Sequence, residues 1–135
     1  MNMSEQELRQ LFTSASMGQV AYRAWAVQAR RERRFNIARL FDALCEARGA
    51  RAMRAFVRIG GVEVTIQNVE HALHGDEPQA VAMQRITGTS VQSRELLGRA
   101  ARAIAQNRDL LADEIGDLYV CTTCGETREG DRKST

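Results

Sequence analysis

The chain has 135 residues, 44% of them apolar and 27% charged, with a formal net charge of +2. That is an ordinary balance for one globular domain with a modest core, and the charge excess is too small to mark a nucleic-acid or membrane binder. No apolar run approaches the roughly 20 residues that span a bilayer, and the polar start Met1–Gln10 lacks the basic-then-apolar order of a secretory leader. The expected location is the cytoplasm, with no membrane partner.

A first helix is expected from Ser4. Ser4-Glu5-Gln6-Glu7 is a capping box, the serine accepting from an early amide and Glu7 reaching back. The apolar stripe Leu8, Leu11, Ala15, Gly18, Tyr22, Trp25, Ala29 follows in steps of three and four. Tyr22 and Trp25 therefore read as core. The run Arg30 to Arg34 reads as a solvated helix end, where positive charge suits the dipole.

A second helix is expected from about Asn36 to Arg58, with the stripe Ile37, Phe41, Leu44, Arg48, Arg51, Ala55. Two arginines thus fall where core residues belong, and a buried guanidinium needs a partner. Glu46, Asp42, Glu95 or a bound anion is expected to supply it. Cys45, in mid-helix, reads as a small buried hydrophobe. Gly60-Gly61 stops this helix. Val62–Ile66 is an extended crossing, and a short helix follows over Gln67–Leu73. Pro78 suits the first turn of another short helix reaching about Ile86. A last long helix covers about Ser90–Gln106, with Leu96, Leu97, Ala100, Ala103 and Ile104 as its stripe. The remainder is a short apolar strand, Leu118-Tyr119-Val120, then Cys121-Thr122-Thr123-Cys124 and a polar end.

Two residues between cysteines let both sulfurs turn toward one ion, and Gly125 permits the tight turn. Cys121 and Cys124 are therefore candidate zinc or iron ligands. Two thiolates do not complete a structural site. The missing pair is expected either from a second subunit or from His71 and His74, one turn apart on the short helix. No thioredoxin-like βαβ pattern surrounds the cysteines, which argues against a thiol redox role.

In order along the chain, three segments resemble rubrerythrins, ferritin-like di-iron proteins with a rubredoxin-like knuckle. The segment from Ala15-Ser16-Met17-Gly18 through Tyr22, Ala26, Ala29, Glu32 and Phe35 to Ile37, Ala38, Leu40 and Phe41 is similar to the family's first helix pair. Asn68-Val69-Glu70-His71-Ala72-Leu73-His74-Gly75-Asp76 is similar to the segment before its third helix. Tyr119-Val120-Cys121-Thr122-Thr123-Cys124-Gly125, on to Gly130, is similar to the first half of its knuckle.

The resemblance implies an all-α fold: a ferritin-like (rubrerythrin-like) helical bundle over 1–115 with a shortened third helix, and a truncated CxxC tail over 116–135. It also implies what this chain lacks. Family members hold two irons with carboxylates and histidines, including ExxH pairs on single helix faces. Here those positions carry Ala15, Arg48, Arg51, Gln79 and Ala82, no histidine follows His74, and no second CxxC follows the first. Arginine cannot ligate iron. The expectation is a rubrerythrin-like protein without a di-iron centre: a non-catalytic structural or interaction module with a zinc- or iron-binding CxxC, forming a homodimer and not binding nucleic acid. The alternative is a metal-dependent oxidoreductase, reducing peroxide or oxidising iron at a site rearranged from Glu46, Glu70, His71, His74 and Glu77.

Overall fold

The computed structural model describes residues 3–75, 92–123 and 125–130. The helix expected from Pro78 to Ile86, with Gln79 and Ala82, lies outside them, as does Cys124. The described chain is mostly helical: α1 (Glu5–Arg31), α2 (Phe35–Arg58), α3 (residues 65–75) and α4 (Ser93–Ala105), followed by β1 (Asp117–Val120) and β2 (Thr127–Gly130). No helix among the described residues is long and apolar enough to cross a membrane. The backbone divides into two compact units, Met1–Val62 and Glu63–Thr135.

The first unit is an antiparallel helical hairpin, α1 packed on α2. Ser4 caps α1 as expected, its Oγ accepting from the Glu7 amide at 3.1 Å. The helix ends in a Schellman motif: Arg33 N–H donates to the Arg30 carbonyl and Arg34 N–H to that of Ala29. The same pattern ends α2, where Gly60 (φ +82°) takes the left-handed position, and α4, where Asn107 (φ +57°) takes it. In α1 that position falls to Arg33, at φ +59°. A Cβ there is strained by about 1–2 kcal/mol, partly offset by the greater unfolded-chain entropy of glycine. Arg33→Gly is therefore expected to stabilise the hairpin by about 0.5–1 kcal/mol. Urea unfolding followed by the fluorescence of Trp25, the single tryptophan, reads this out; an unchanged or lowered midpoint contradicts it.

The seam of the hairpin is built from small side chains. Leu8, Ala15, Ala26 and Ala29 of α1 and Ala38, Cys45, Ala52 and Ala55 of α2 are its buried residues. Ala38, Cys45 and Ala52 recur every seven residues, as helices wound side by side require. Cys45 is buried, as its mid-helix place predicts. Ile37, Leu44 and Arg51, read as the buried row, lie one residue back and flank the seam: Ile37 is exposed and Leu44 half-buried. Trp25, read as core, is 51% exposed. Its ring meets Tyr22 edge-on and also approaches Phe41, both with centroids under 6 Å apart. Small residues win the seam because two bare helices bury most surface when their backbones approach closely, which pushes large side chains to the flanks.

The second unit contains α3, α4 and the β-hairpin. Asn68 folds the chain into α3: its Oδ1 accepts from the Glu63 amide at 2.9 Å and its Nδ2 donates to the Glu63 carbonyl at 2.7 Å. β1 pairs antiparallel with β2 in the register Asp117↔Gly130 to Val120↔Thr127. The first strand follows the apolar run Leu118-Tyr119-Val120; the second, Thr-Arg-Glu-Gly, falls in the expected polar end. It has no apolar alternation to betray it; the turn and the ladder make it a strand.

A carboxylate ties the hairpin to the helix. Glu129, on β2, accepts from Arg99 Nη1 at 2.8 Å and from the Gly116 amide at 2.6 Å. Its own amide donates to Gln92 Oε1 at 3.0 Å. Arg99 also donates to the Glu114 carbonyl and to Glu95. The domain boundary expected at 115/116 runs through this cluster, so helix α4 and the tail belong to one unit.

Candidate metal centre

The CxxC segment occupies the turn between β1 and β2. The Cys121 amide donates to the Glu126 carbonyl, and the Gly125 amide donates back to the Cys121 carbonyl, both at 2.8 Å. Together these bonds close the loop on itself. Gly125 sits at φ +79°, where a residue with a Cβ is strained. Cys121 is exposed at this turn, while Cys124 lies outside the described residues. The glycine after the cysteines, read from the sequence as the enabler of the turn, holds the left-handed conformation that role demands.

The two candidate histidines have separate neighbours. His71 Nε2 lies 3.1 Å from Glu63 Oε1, an exposed pair. His74 borders an open cavity of about 600 Å³ with Glu70, Leu73, Arg94, Glu95 and Arg102. Among the described residues, no three histidine, cysteine or acidic side chains converge closely enough to hold an ion.

Ala15, Arg48 and Arg51, the described positions at which the resemblance leads one to expect iron ligands, lie in or beside the α1–α2 seam. Ala15 is buried in the α1–α2 seam, where its methyl group lets the helices close. Arg48 is half-buried and lies over the Tyr22 ring, 5.8 Å from its centroid, with its stem against Gly18. Arg51 is exposed. The carboxylate partners expected for these two arginines are not found among the described residues. Asp42 pairs with Arg30 and Glu95 with Arg99 instead. The correction follows from the seam: with Ala38, Cys45 and Ala52 facing α1, Arg48 and Arg51 point to its edge, where water and an aromatic face suffice.

Sequence reasoning missed the polar clamp of Glu129 and Arg99 entirely. Its partners are separated by 13 to 37 residues, and no local pattern links them. The Arg99 guanidinium and the Gly116 amide hold the Glu129 carboxyl below the usual range. Arg108, with the Leu111 amide, does the same for Glu114. Compared with known proteins, the chain matches no family model and no curated sequence.

Proposed function

We propose that this protein is a non-catalytic, rubrerythrin-like structural or interaction module of the cytoplasm that holds one zinc or iron ion at Cys121 and Cys124. In this reading its helices derive from a ferritin-like bundle with a shortened third helix. The observation that carries it is the β-hairpin turn: residues 121–126 are closed by two backbone hydrogen bonds, with Gly125 at positive φ and Cys121 outward. Two residues between cysteines allow both thiolates to reach one ion, and two thiolates suit a soft, tetrahedral one. His71 is engaged by Glu63, so the other two ligands are assigned to the same hairpin of a second copy, making a four-thiolate site. The loss of carboxylates at Ala15, Arg48 and Arg51 supports the absence of catalysis, since nothing there neutralises iron.

Zinc titration of the full chain, read with a chromophoric competitor, tests the site. About half an equivalent per chain should bind, as one four-coordinate ion shared by two copies requires. Cys121→Ser should abolish binding, and Cys45→Ser, buried in α2, should not. Cobalt loading should give thiolate charge-transfer absorption. Stoichiometric iron retained by a Cys121→Ser, Cys124→Ser chain overturns the non-catalytic reading; zinc that never binds the wild type overturns the metal reading.

A further inference from the structure

The last turns of α2 carry a second feature, independent of the cysteines. Arg51, Arg54 and Arg58 lie at i, i+3 and i+7 and edge a pocket of about 100 Å³ whose wall is Leu8, Leu11 and Ala55. All three arginines are exposed, and none makes an ion pair or side-chain hydrogen bond among the described residues. Three like charges around one opening repel one another, and an anion placed between them relieves this. The wall is apolar, so the ligand has an apolar part as well. The pocket is smaller than the ~150 Å³ cavities that take up benzene; it suits a single branched aliphatic side chain.

We propose that this pocket docks the segment Asp109–Glu114 of a second copy of the chain. The segment reads Asp-Leu-Leu-Ala-Asp-Glu. Leu111 is 54% exposed between the exposed acidic residues Asp109 and Asp113. Among the described residues the Asp109 carboxylate accepts from the neighbouring Leu110 amide, at 2.8 Å, and from no other donor, which leaves acceptor capacity for a guanidinium. Glu114, by contrast, is already engaged by Arg108 and the Leu111 amide. The segment thus offers a leucine flanked by two carboxylates, the complement of a leucine-walled pocket flanked by arginines.

The charge of the whole chain agrees. Residues 1–62 carry eleven arginines against five acidic residues, and residues 63–135 carry twelve acidic residues against eight basic ones. The first unit of one copy and the second unit of another are therefore attracted. Each copy owns both a pocket and a segment, so a pair of copies offers the contact twice. The contact needs no metal.

Sedimentation velocity of the full chain tests it with two charge-reversed variants, Arg51→Glu/Arg54→Glu and Asp109→Arg/Asp113→Arg. The wild type should dimerise at micromolar concentration, more weakly as salt is raised. Each variant alone should need at least tenfold more protein to dimerise, with its helical circular dichroism unchanged. Their equimolar mixture should regain wild-type association, since every pocket again meets a segment of opposite charge. A monomeric wild type, variants that associate as the wild type does, or a mixture that stays monomeric overturns the proposal. Chelation by EDTA separates it from the metal site. Association lost on chelation and untouched by charge reversal sinks the arginine contact and leaves the thiolate site standing.

Discussion

Replacing Ala15 by leucine is expected to destabilise the helical hairpin by about 1–3 kcal/mol, the usual cost of forcing extra methylenes into a packed seam. Ala15 is 2% exposed and sits midway along the small-residue row of α1. Separating the helices to admit a larger side chain would expose the alanines of α2. The same substitution at Ala24, an exposed residue of the same helix, should stay within about 0.5 kcal/mol of the wild type. Alanine and leucine have near-equal helix propensity, so the difference between the two variants isolates packing. Trp25 fluorescence during urea unfolding reports on this unit, because the single tryptophan lies in α1. Equal midpoints for the two variants would mean that the alanine row is not the seam.

The second large effect is expected at Glu129. Its carboxylate satisfies one guanidinium and one backbone amide, and its backbone amide is held by Gln92. Glu129→Ala removes the acceptor that ties β2 to α4 and leaves Arg99 to Glu95 and a carbonyl. The strand amides of β1 and β2 should then exchange with solvent about tenfold faster or more, because the hairpin opens locally once its anchor is gone. Glu129→Gln keeps the acceptor oxygen without the charge and should fall between. The pH dependence has a definite sign. Arg99 and the Gly116 amide lower the Glu129 pKa, and Arg108 lowers that of Glu114. A depressed carboxyl stabilises the fold above its unfolded value, and the gain is lost as the pH falls through the folded value. The second unit should therefore hold its stability at neutral pH and lose it below about pH 4.3, the ordinary glutamate range. In Glu129→Ala this acid sensitivity should shrink. An unchanged acid midpoint in that variant would assign it to other carboxylates.

Arg48 and Arg51 flank the α1–α2 seam rather than lie in it. Arg48 over Tyr22 and Arg51 at the pocket edge are solvent-side residues. Neither needs a buried counter-charge. The interior of this hairpin is an alanine seam with a basic flank.

What the sequence determined by itself is local. Ser4 and the capping pattern start α1, Gly60-Gly61 ends α2, and the apolar periodicities fall on the helices observed. The glycine of Cys121-Thr122-Thr123-Cys124-Gly125 marks the turn. These features need only neighbours a few residues away, and their hydrogen bonds close within one turn. What the tertiary structure decided is which of two adjacent helical rows is buried, that Trp25 lies at an edge, and that β2 exists at all. In α2 both Ile37-Leu44-Arg51 and Ala38-Cys45-Ala52 recur every seven residues, so periodicity alone does not choose between them. The choice belongs to α1, whose own small residues reward close approach. The Glu129 clamp and the arginine-edged pocket likewise arise from residues far apart in sequence, whose meeting is a property of the folded chain.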